Sequence, residues 1–301
     1  MKHVFILNPV SGRESAKTLI PVIEDYFKNS EDEYEILQTQ YAGHAKELAS
    51  QFHKEDNVCL YATGGDGTLW EVINGLDPEV TFSIIPSGTG NDFFRMIEAN
   101  IYDMPKLVKD TIEGETMQID FGVCNGMRFI NCLCMGIDAD VNARVCEVGK
   151  SSMVPKKMLY ISSALKVIQH LNPLKFTAWI DGVEAQKEGL LAAVMNGRKY
   201  GGGFTPTPDS DFNDGVFDVC VVKPMKLAKL VPLLPKYFKG THTNEKVVEM
   251  CQAKKVKFKF EQPINVSLDG EMFQMADIEA EMVESGLTLK LPRGSYHEHR
   301  K

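Results

Sequence analysis

The 301-residue sequence predicts an α/β protein in two parts: an N-terminal α/β domain on a parallel sheet, then a mostly antiparallel β-rich domain. Three observations predict this. Through the first hundred residues, apolar runs of strand length alternate with segments of helical spacing. After about residue 120, short β-like runs dominate. The charge divides at the same place: residues 1–120 carry nine basic and 21 acidic side chains, a net of −12, whereas residues 121–301 carry 24 and 20, a net of +4. The domains are expected at 1–120, joined by a C-terminal segment of about 287–301, and at 121–286.

The first strand is expected at 4–7, Val4-Phe5-Ile6-Leu7, and ends at Asn8-Pro9. Residues 15–27 place Leu19, Val22, Ile23, Tyr26 and Phe27 at helical spacing. A second strand follows at 34–38, a second helix at 45–52 and an apolar third strand at 58–62. A Gly-rich turn precedes a helix at 69–75. A fourth strand at 82–85 runs into another Gly-rich turn at 87–90. Such alternation implies parallel βαβ units covered on both faces, with ligands at the carboxyl ends of the strands. In the second part, strands are expected at 123–124, 129–133, 175–180, 190–196, 216–222, 254–260, 264–268 and 287–291. One helix is interposed at 155–170.

Composition excludes several classes. Hydrophobic residues make up 44% and charged residues 25% of the chain, which rules out collagen, coiled coil and wholesale disorder. No apolar run approaches the length of a membrane-spanning helix, and the first thirty residues do not read as a signal peptide. No strongly basic face is implied, so nucleic acid is not an expected partner. Seven cysteines without C-x-x-C spacing point to reduced, mostly buried thiols and a cytoplasmic protein. Walker, dinucleotide, nucleophile-elbow and H-E-x-x-H motifs are absent.

Three small-residue turns fall at the same edge of the inferred sheet. Gly64-Gly65-Asp66-Gly67-Thr68 follows the third strand. Its amides suit phosphate oxygens at a helix start, and a carboxylate at Asp66 would then call for a cation beside it. The plainer alternative is a tight turn capped by Asp66 or Thr68. Pro86-Ser87-Gly88-Thr89-Gly90-Asn91-Asp92 follows the fourth strand, and Asn8-Pro9-Val10-Ser11-Gly12 follows the first. Together they point to a phosphate-binding cleft. Asp269-Gly270 reads as a hairpin turn. Asp209, Asp211, Asp214 and Asp218 suit either a hard cation or a polar turn. Residues 219–244 hold five lysines and no acid among many apolar residues, which suits either an anionic membrane surface or a packed helix with a solvated lysine face. Pro232 and Pro235 are expected to interrupt a long helix there.

In this order and spacing, the turns at 8–12, 64–68 and 86–92 resemble the diacylglycerol kinase catalytic family, which includes bacterial lipid kinases and sphingosine kinases. The likeness continues through Met117 to Gly122, Asn131 to Ala139, Asn196-Gly197 with 201–204, Pro208 to Gly215, and Asp269-Gly270-Glu271. It spans about residues 4–291. The family is distantly related to NAD kinases and 6-phosphofructokinases, which share the Gly-Gly-Asp-Gly core.

The resemblance implies an ATP-dependent lipid kinase, with diacylglycerol as the acceptor expected first and phosphatidic acid as its product. ATP would contact Asn8, Pro9, Val10, Ser11, Gly12, Thr39, Gly64, Gly65, Asp66, Gly67, Thr68, Leu69, Trp70, Glu71, Thr89, Asn91 and Asp92. Trp70 stands where the family usually has Asn. Glu271 matches the family's general base, with Asp269 beside it. Asp66, Asp92 and Asp120 match acidic positions assigned to catalytic Mg²⁺. Asp211, Asp214 and the carbonyl of Val216 match a structural Mg²⁺ site. The implied partners are ATP, a lipid substrate and, transiently, an anionic membrane surface at the inner face; a homodimer is compatible. Two other readings stand beside this one: a kinase for a soluble acceptor, as in NAD kinases, and a nucleotide-binding regulator without catalysis.

Overall fold

A computed structural model describes residues 1–13, 15–88, 90–97, 103–149, 156–169 and 172–295. The chain divides into two compact units, Met1–Asp120 with Ser285–Lys301, and Phe121–Glu284.

The first unit is a parallel α/β layer. Its elements are β1 (Lys2–Leu7), α1 (Ile20–Phe27), β2 (Glu33–Gln38), α2 (His44–Ala49), β3 (Val58–Gly64), α3 (Asp66–Gly75), β4 (Thr81–Pro86), α4 (Asp92–Ile97) and α5 (Met104–Ile112). The strands run parallel in the order β2-β1-β3-β4. Every residue of β3 is buried, as a central parallel strand covered on both faces requires. Phe5, Ile23, Phe27, Tyr61 and Ile85 form the core under α1 and α5. The helix expected at 15–27 opens instead as a 3-10 turn, Ser15–Leu19, and becomes α-helical only from Ile20. Pro21 lies in the first α turn, where its missing N–H costs no helix hydrogen bond.

The second unit is antiparallel. It contains β5 (Thr116–Cys124), which begins in the first unit, then β6 (Met127–Phe129), β7 (Cys132–Gly136), α6 (Ile137–Gly149), α7 (Lys156–Gln169), β8 (Leu174–Ile180), β9 (Val183–Gly189), β10 (Leu191–Met195), β11 (Phe217–Val222), α8 (Leu227–Lys239), β12 (Val248–Ala253), β13 (Lys255–Leu268) and β14 (Glu271–Lys290). β14 ends in the first unit, where Leu289 pairs with Phe82 of β4.

One long strand organises this unit. β13 pairs with β14 along one edge. Along its other edge it pairs first with β8 and then with β7. The change comes with a register shift between Lys259 and Ile264, a stretch that includes Pro263, which has no N–H for a ladder. β7, β10, β11 and β12 continue from there. Phe129, Phe176, Phe217, Phe258 and Val266 fill the core between them.

Several expected elements are redrawn. The strands expected at 254–260 and 264–268 are one bent strand, β13. The strand expected at 287–291 is the end of the 20-residue β14. The strand expected at 129–133 is split into β6 and β7, because the amides of Ile130, Asn131 and Cys132 turn to the Asp269 carboxylate. Pro232 and Pro235 do not interrupt α8, which runs unbroken from Leu227 to Lys239. Both prolines are exposed, so the carbonyls they leave without helix donors lie within reach of water. Pro155 and His170, the ends of the expected 155–170 helix, lie outside the described residues. Among the described residues no helix is long and apolar enough to cross a membrane.

Candidate active site

In the first unit, the carboxyl ends of β1, β3 and β4 feed the three small-residue turns, and the turns meet. Asn8 N–H donates to the Thr63 carbonyl (3.0 Å), and Asn8 Nδ2 donates to Thr68 Oγ1 (3.1 Å). Ser87 and Gly88 N–H both donate to the Gly64 carbonyl (2.8 and 3.2 Å). Thr39, at the end of β2, donates its N–H to the Leu7 carbonyl (2.9 Å).

The glycines are there because the turns touch backbone to backbone. A Cβ on Gly88 would lie 2.5 Å from the Gly65 Cα, and one on Gly90 would lie 2.6 Å from Asp66 Oδ2. At Gly64 a Cβ would strike the Thr68 side chain, at 2.3 Å from Oγ1. Gly12 has φ +59°, in the region open to glycine.

Asp66 opens α3 but its carboxylate serves the neighbouring turn. Asp92 N–H donates to Asp66 Oδ1 (2.8 Å), and the amides of Asn91 and Phe93 also favour the charged form. Burial, followed by the charge of nearby Asp92, nevertheless pushes its carboxyl up to about 6. Asp66 and Asp92 are both half-buried, and two neighbouring carboxylates suit a hard cation, with phosphate oxygens and water completing the shell that Mg²⁺ ordinarily takes. Asp120 does not join them in a three-carboxylate group; among the described residues there is no cluster of three or more His, Cys, Asp or Glu able to hold a metal. Its Oδ1 instead accepts Ser285 N–H (2.6 Å).

The other expected nucleotide contacts are placed as follows. Leu69 and Thr68 are buried, Trp70 is half-buried and Val10 is exposed. Both Glu71 oxygens accept amides at the start of α2, from Gly43 (2.8 Å) and Ala45 (3.0 Å), so Glu71 holds α2 in place. Asn91 has φ +53° and its Nδ2 donates to the Gly88 carbonyl (2.8 Å). Thr89 lies outside the described residues.

In the second unit, Asp269-Gly270 forms the two-residue turn between β13 and β14, with Leu268 paired to Glu271. Both turn residues have positive φ, +48° and +97°, which matches the Asp-Gly hairpin signal. Asp269 does more than turn the chain. Its carboxylate accepts three amides, from Ile130 (2.7 Å), Asn131 (2.9 Å) and Cys132 (2.7 Å). Glu271 is exposed at the start of β14. The turn is held from a second side by Asn142 on α6, whose Nδ2 donates to the Gly270 carbonyl (2.8 Å).

Asp211 and Asp214 lie on the loop before β11. Asp214 Oδ1 accepts Val216 N–H (3.2 Å), a tight turn that keeps the Val216 carbonyl close in sequence to both carboxylates. The donor set, two carboxylates and a carbonyl, is all oxygen and fits a hard cation. Asp209 and Asp218 flank it; Asp218 accepts the Ser210 hydroxyl (2.6 Å).

A buried polar cluster escaped sequence reasoning. Asp138, the second residue of α6, hydrogen-bonds the hydroxyl of Tyr200 and lies 3.4 Å from that of Tyr237; the two hydroxyls are 3.0 Å apart. Burial pushes the Asp138 carboxyl up to about 8. The only signal was an acid among apolar residues just after Gly136, a glycine of φ +82°.

Comparison with known proteins decides the family. Residues 2–124 match the diacylglycerol kinase catalytic domain, and residues 131–290 match the YegS C-terminal NAD kinase beta sandwich-like domain. A diacylglycerol kinase of Bacillus subtilis (strain 168) is 31% identical over 269 residues, 88% of each chain. The chain belongs to the diacylglycerol kinase family. A diacylglycerol kinase of Mycobacterium tuberculosis is also 31% identical, over 304 residues that cover 97% of this chain and 96% of that one. A crystal structure from Bacillus anthracis str. Sterne shares the fold, with a TM-score of 0.78 at 24% identity over 97% of this chain and 95% of the other. The protein is therefore a kinase with the catalytic domain of the lipid kinases, on an α/β domain followed by a β-rich one.

Proposed function

We propose that this kinase transfers the γ-phosphoryl group of ATP to the hydroxyl of diacylglycerol, giving phosphatidic acid and ADP. The observation that carries the reading is the convergence of three glycine-rich turns at the carboxyl ends of β1, β3 and β4, with Gly88 packed too close to Gly65 to carry a side chain. Backbone amides in such turns favour phosphate oxygens, and the start of α3 adds its positive end.

The residues divide the work. Asn8 through Gly12 and Gly64 through Thr68 hold the donor's phosphates, with Thr39, Leu69, Trp70, Thr89, Asn91 and Asp92 as further contacts; Glu71 acts through α2. Glu271 takes the proton from the acceptor hydroxyl as its oxygen attacks the γ-phosphorus. Asp269 is a positioning residue: by gripping three amides it sets the hairpin that presents Glu271. Asp66 and Asp92 would hold Mg²⁺, which when bound neutralises charge on the transferring phosphoryl group. Asp211, Asp214 and the Val216 carbonyl would hold a second, structural ion. A lipid acceptor implies transient contact with an anionic membrane surface at the cytoplasmic face.

A kinase assay with radiolabelled ATP and Mg²⁺ over a lipid panel tests the reading, with phosphatidic acid as the expected product. No lipid product from folded, ATP-binding protein would overturn it. The NAD kinase-like description of residues 131–290 favours a second reading, a soluble alcohol acceptor. Turnover of such an acceptor without vesicles would support that reading instead.

A further inference from the structure

We propose that the outer face of α8 is the surface by which this protein docks on an anionic phospholipid bilayer. The inference rests on the lipid-kinase reading and names the face that reading leaves open.

α8 is apolar on two sides. Its inner side, Leu230, Leu233 and Tyr237, is buried. Leu230 packs with Ile168 and Leu190, and Leu233 and Tyr237 pack with Leu191 and Cys220. Its outer side carries Leu227, Val231 and Phe238, which are 43%, 54% and 50% exposed. They stand four and seven residues apart, so they form one stripe along the helix. Pro232 and Pro235 are exposed as well. A water-facing helix normally turns polar residues outward, so a stripe of large apolar groups points to a partner.

The charge around the stripe selects that partner. Residues 219–244 contain no acid. Lys236 pairs with Glu245, and Lys223 pairs with Glu249 at 2.8 Å. Lys226, Lys229 and Lys239 are exposed and have no acidic partner among the described residues. Lys226 and Lys239 close the two ends of the stripe, whereas Lys229 lies on the opposite side of the helix; apolar groups bounded at both ends by ammonium groups match the acyl boundary and phosphates of an anionic bilayer. A second copy of the chain fits poorly, because a two-fold contact through this face would set lysine against lysine.

The face also lies at one end of a series of contacts that reaches the Asp269 hairpin within its own unit. The Phe238 ring meets that of Phe204 edge-on at 5.4 Å and lies against Gly203, and the Tyr237 hydroxyl reaches that of Tyr200. Just before Tyr200, the Lys199 carbonyl accepts Asn131 Nδ2 (2.9 Å). Asn131 N–H in turn donates to Asp269, two residues from Glu271. These contacts link α8 to the turn that carries Glu271.

Sedimentation of the full chain with vesicles tests this, using phosphatidylcholine alone and phosphatidylcholine mixed with phosphatidylglycerol. Binding is expected only to the mixed vesicles and is expected to weaken with salt. The double variant Lys226→Gln/Lys239→Gln should lose about thirty-fold in partition. Leu227→Asp/Val231→Asp should lose binding as well. Both variants should still phosphorylate a short-chain, water-dispersed diacylglycerol at the parent rate while failing on diacylglycerol in vesicles. Parent protein that ignores the anionic vesicles, or variants that bind them equally, would overturn the proposal. So would a dimer in sedimentation velocity that the Asp variant dissolves, since the face would then be a contact between copies. Absence of lipid phosphorylation by every form, with vesicle binding and its loss intact, would count against the kinase reading alone.

Discussion

Asp66 in the first unit and Asp269 in the second lie where the resemblance to lipid kinases places catalytic carboxylates, and both carboxylates bind backbone amides. They differ in setting. Asp269 gathers three amides from a single turn. Asp66 takes amides at the start of α4 but sits beside a second acid, Asp92, and its carboxyl is pushed up to about 6. Amides alone suffice to hold a carboxylate in place. A carboxylate facing another acid is left with a need for positive charge, and that need distinguishes a ligand-binding aspartate from a latch. Glu271 is the contrast to both, an exposed acid set at the start of a strand by the latch beside it.

Substitutions can break this comparison or sharpen it. The largest effect is expected at Glu271. Glu271→Gln should lower kcat about 10²–10⁴-fold while leaving the denaturation midpoint unchanged, as read by steady-state kinetics and urea unfolding. A large loss of stability would make Glu271 structural. Asp269→Ala should do the reverse in kind, costing about 3 kcal/mol in urea unfolding because three amides lose their acceptor. Asp269→Asn keeps one acceptor oxygen and should recover part of that loss; a stable alanine variant would show that the latch does not hold the hairpin.

In the first unit, Gly88→Ala should cost about 2 kcal/mol, since its Cβ would lie 2.5 Å from a backbone atom that cannot step aside without moving the turn. It should also raise KM for ATP more than it lowers kcat; an unchanged KM would separate the turn from the donor. The smallest effect concerns Asp138, whose folded carboxyl is pushed up from 3.8 to about 8. The folded state binds this proton more tightly than the unfolded state. Its contribution is therefore greatest at low pH and declines as pH rises from 3.8 towards 8, by about 1 kcal/mol between pH 7 and 8. Asp138→Asn should flatten that decline in urea titrations run across the range. An identical slope in both proteins would place the proton elsewhere.

The two units were also unequally legible. The parallel strands of the first unit and the Asp269-Gly270 turn were readable, because alternation, glycine-rich turns and Asp-Gly hairpins are written in residues close together in the chain. The split between β6 and β7 was not readable. Residues 129–133 look like one strand until Asp269 draws the Asn131 amide from 138 residues away. α8 was half legible: its two prolines argued for a break, but the packing of Leu230, Leu233 and Tyr237 keeps it helical.

The sequence by itself determined the fold class, the order of the glycine-rich turns and the likeness to a lipid kinase, since all of these are local patterns repeated in sequence order. Only the tertiary structure decided that Glu71 holds α2, that Asp269 is a latch, that Asp120 accepts the Ser285 amide, and that Leu227, Val231 and Phe238 face outward. Each of these depends on which distant amide, acid or apolar surface meets a given side chain, and burial decides that meeting only once the chain has closed.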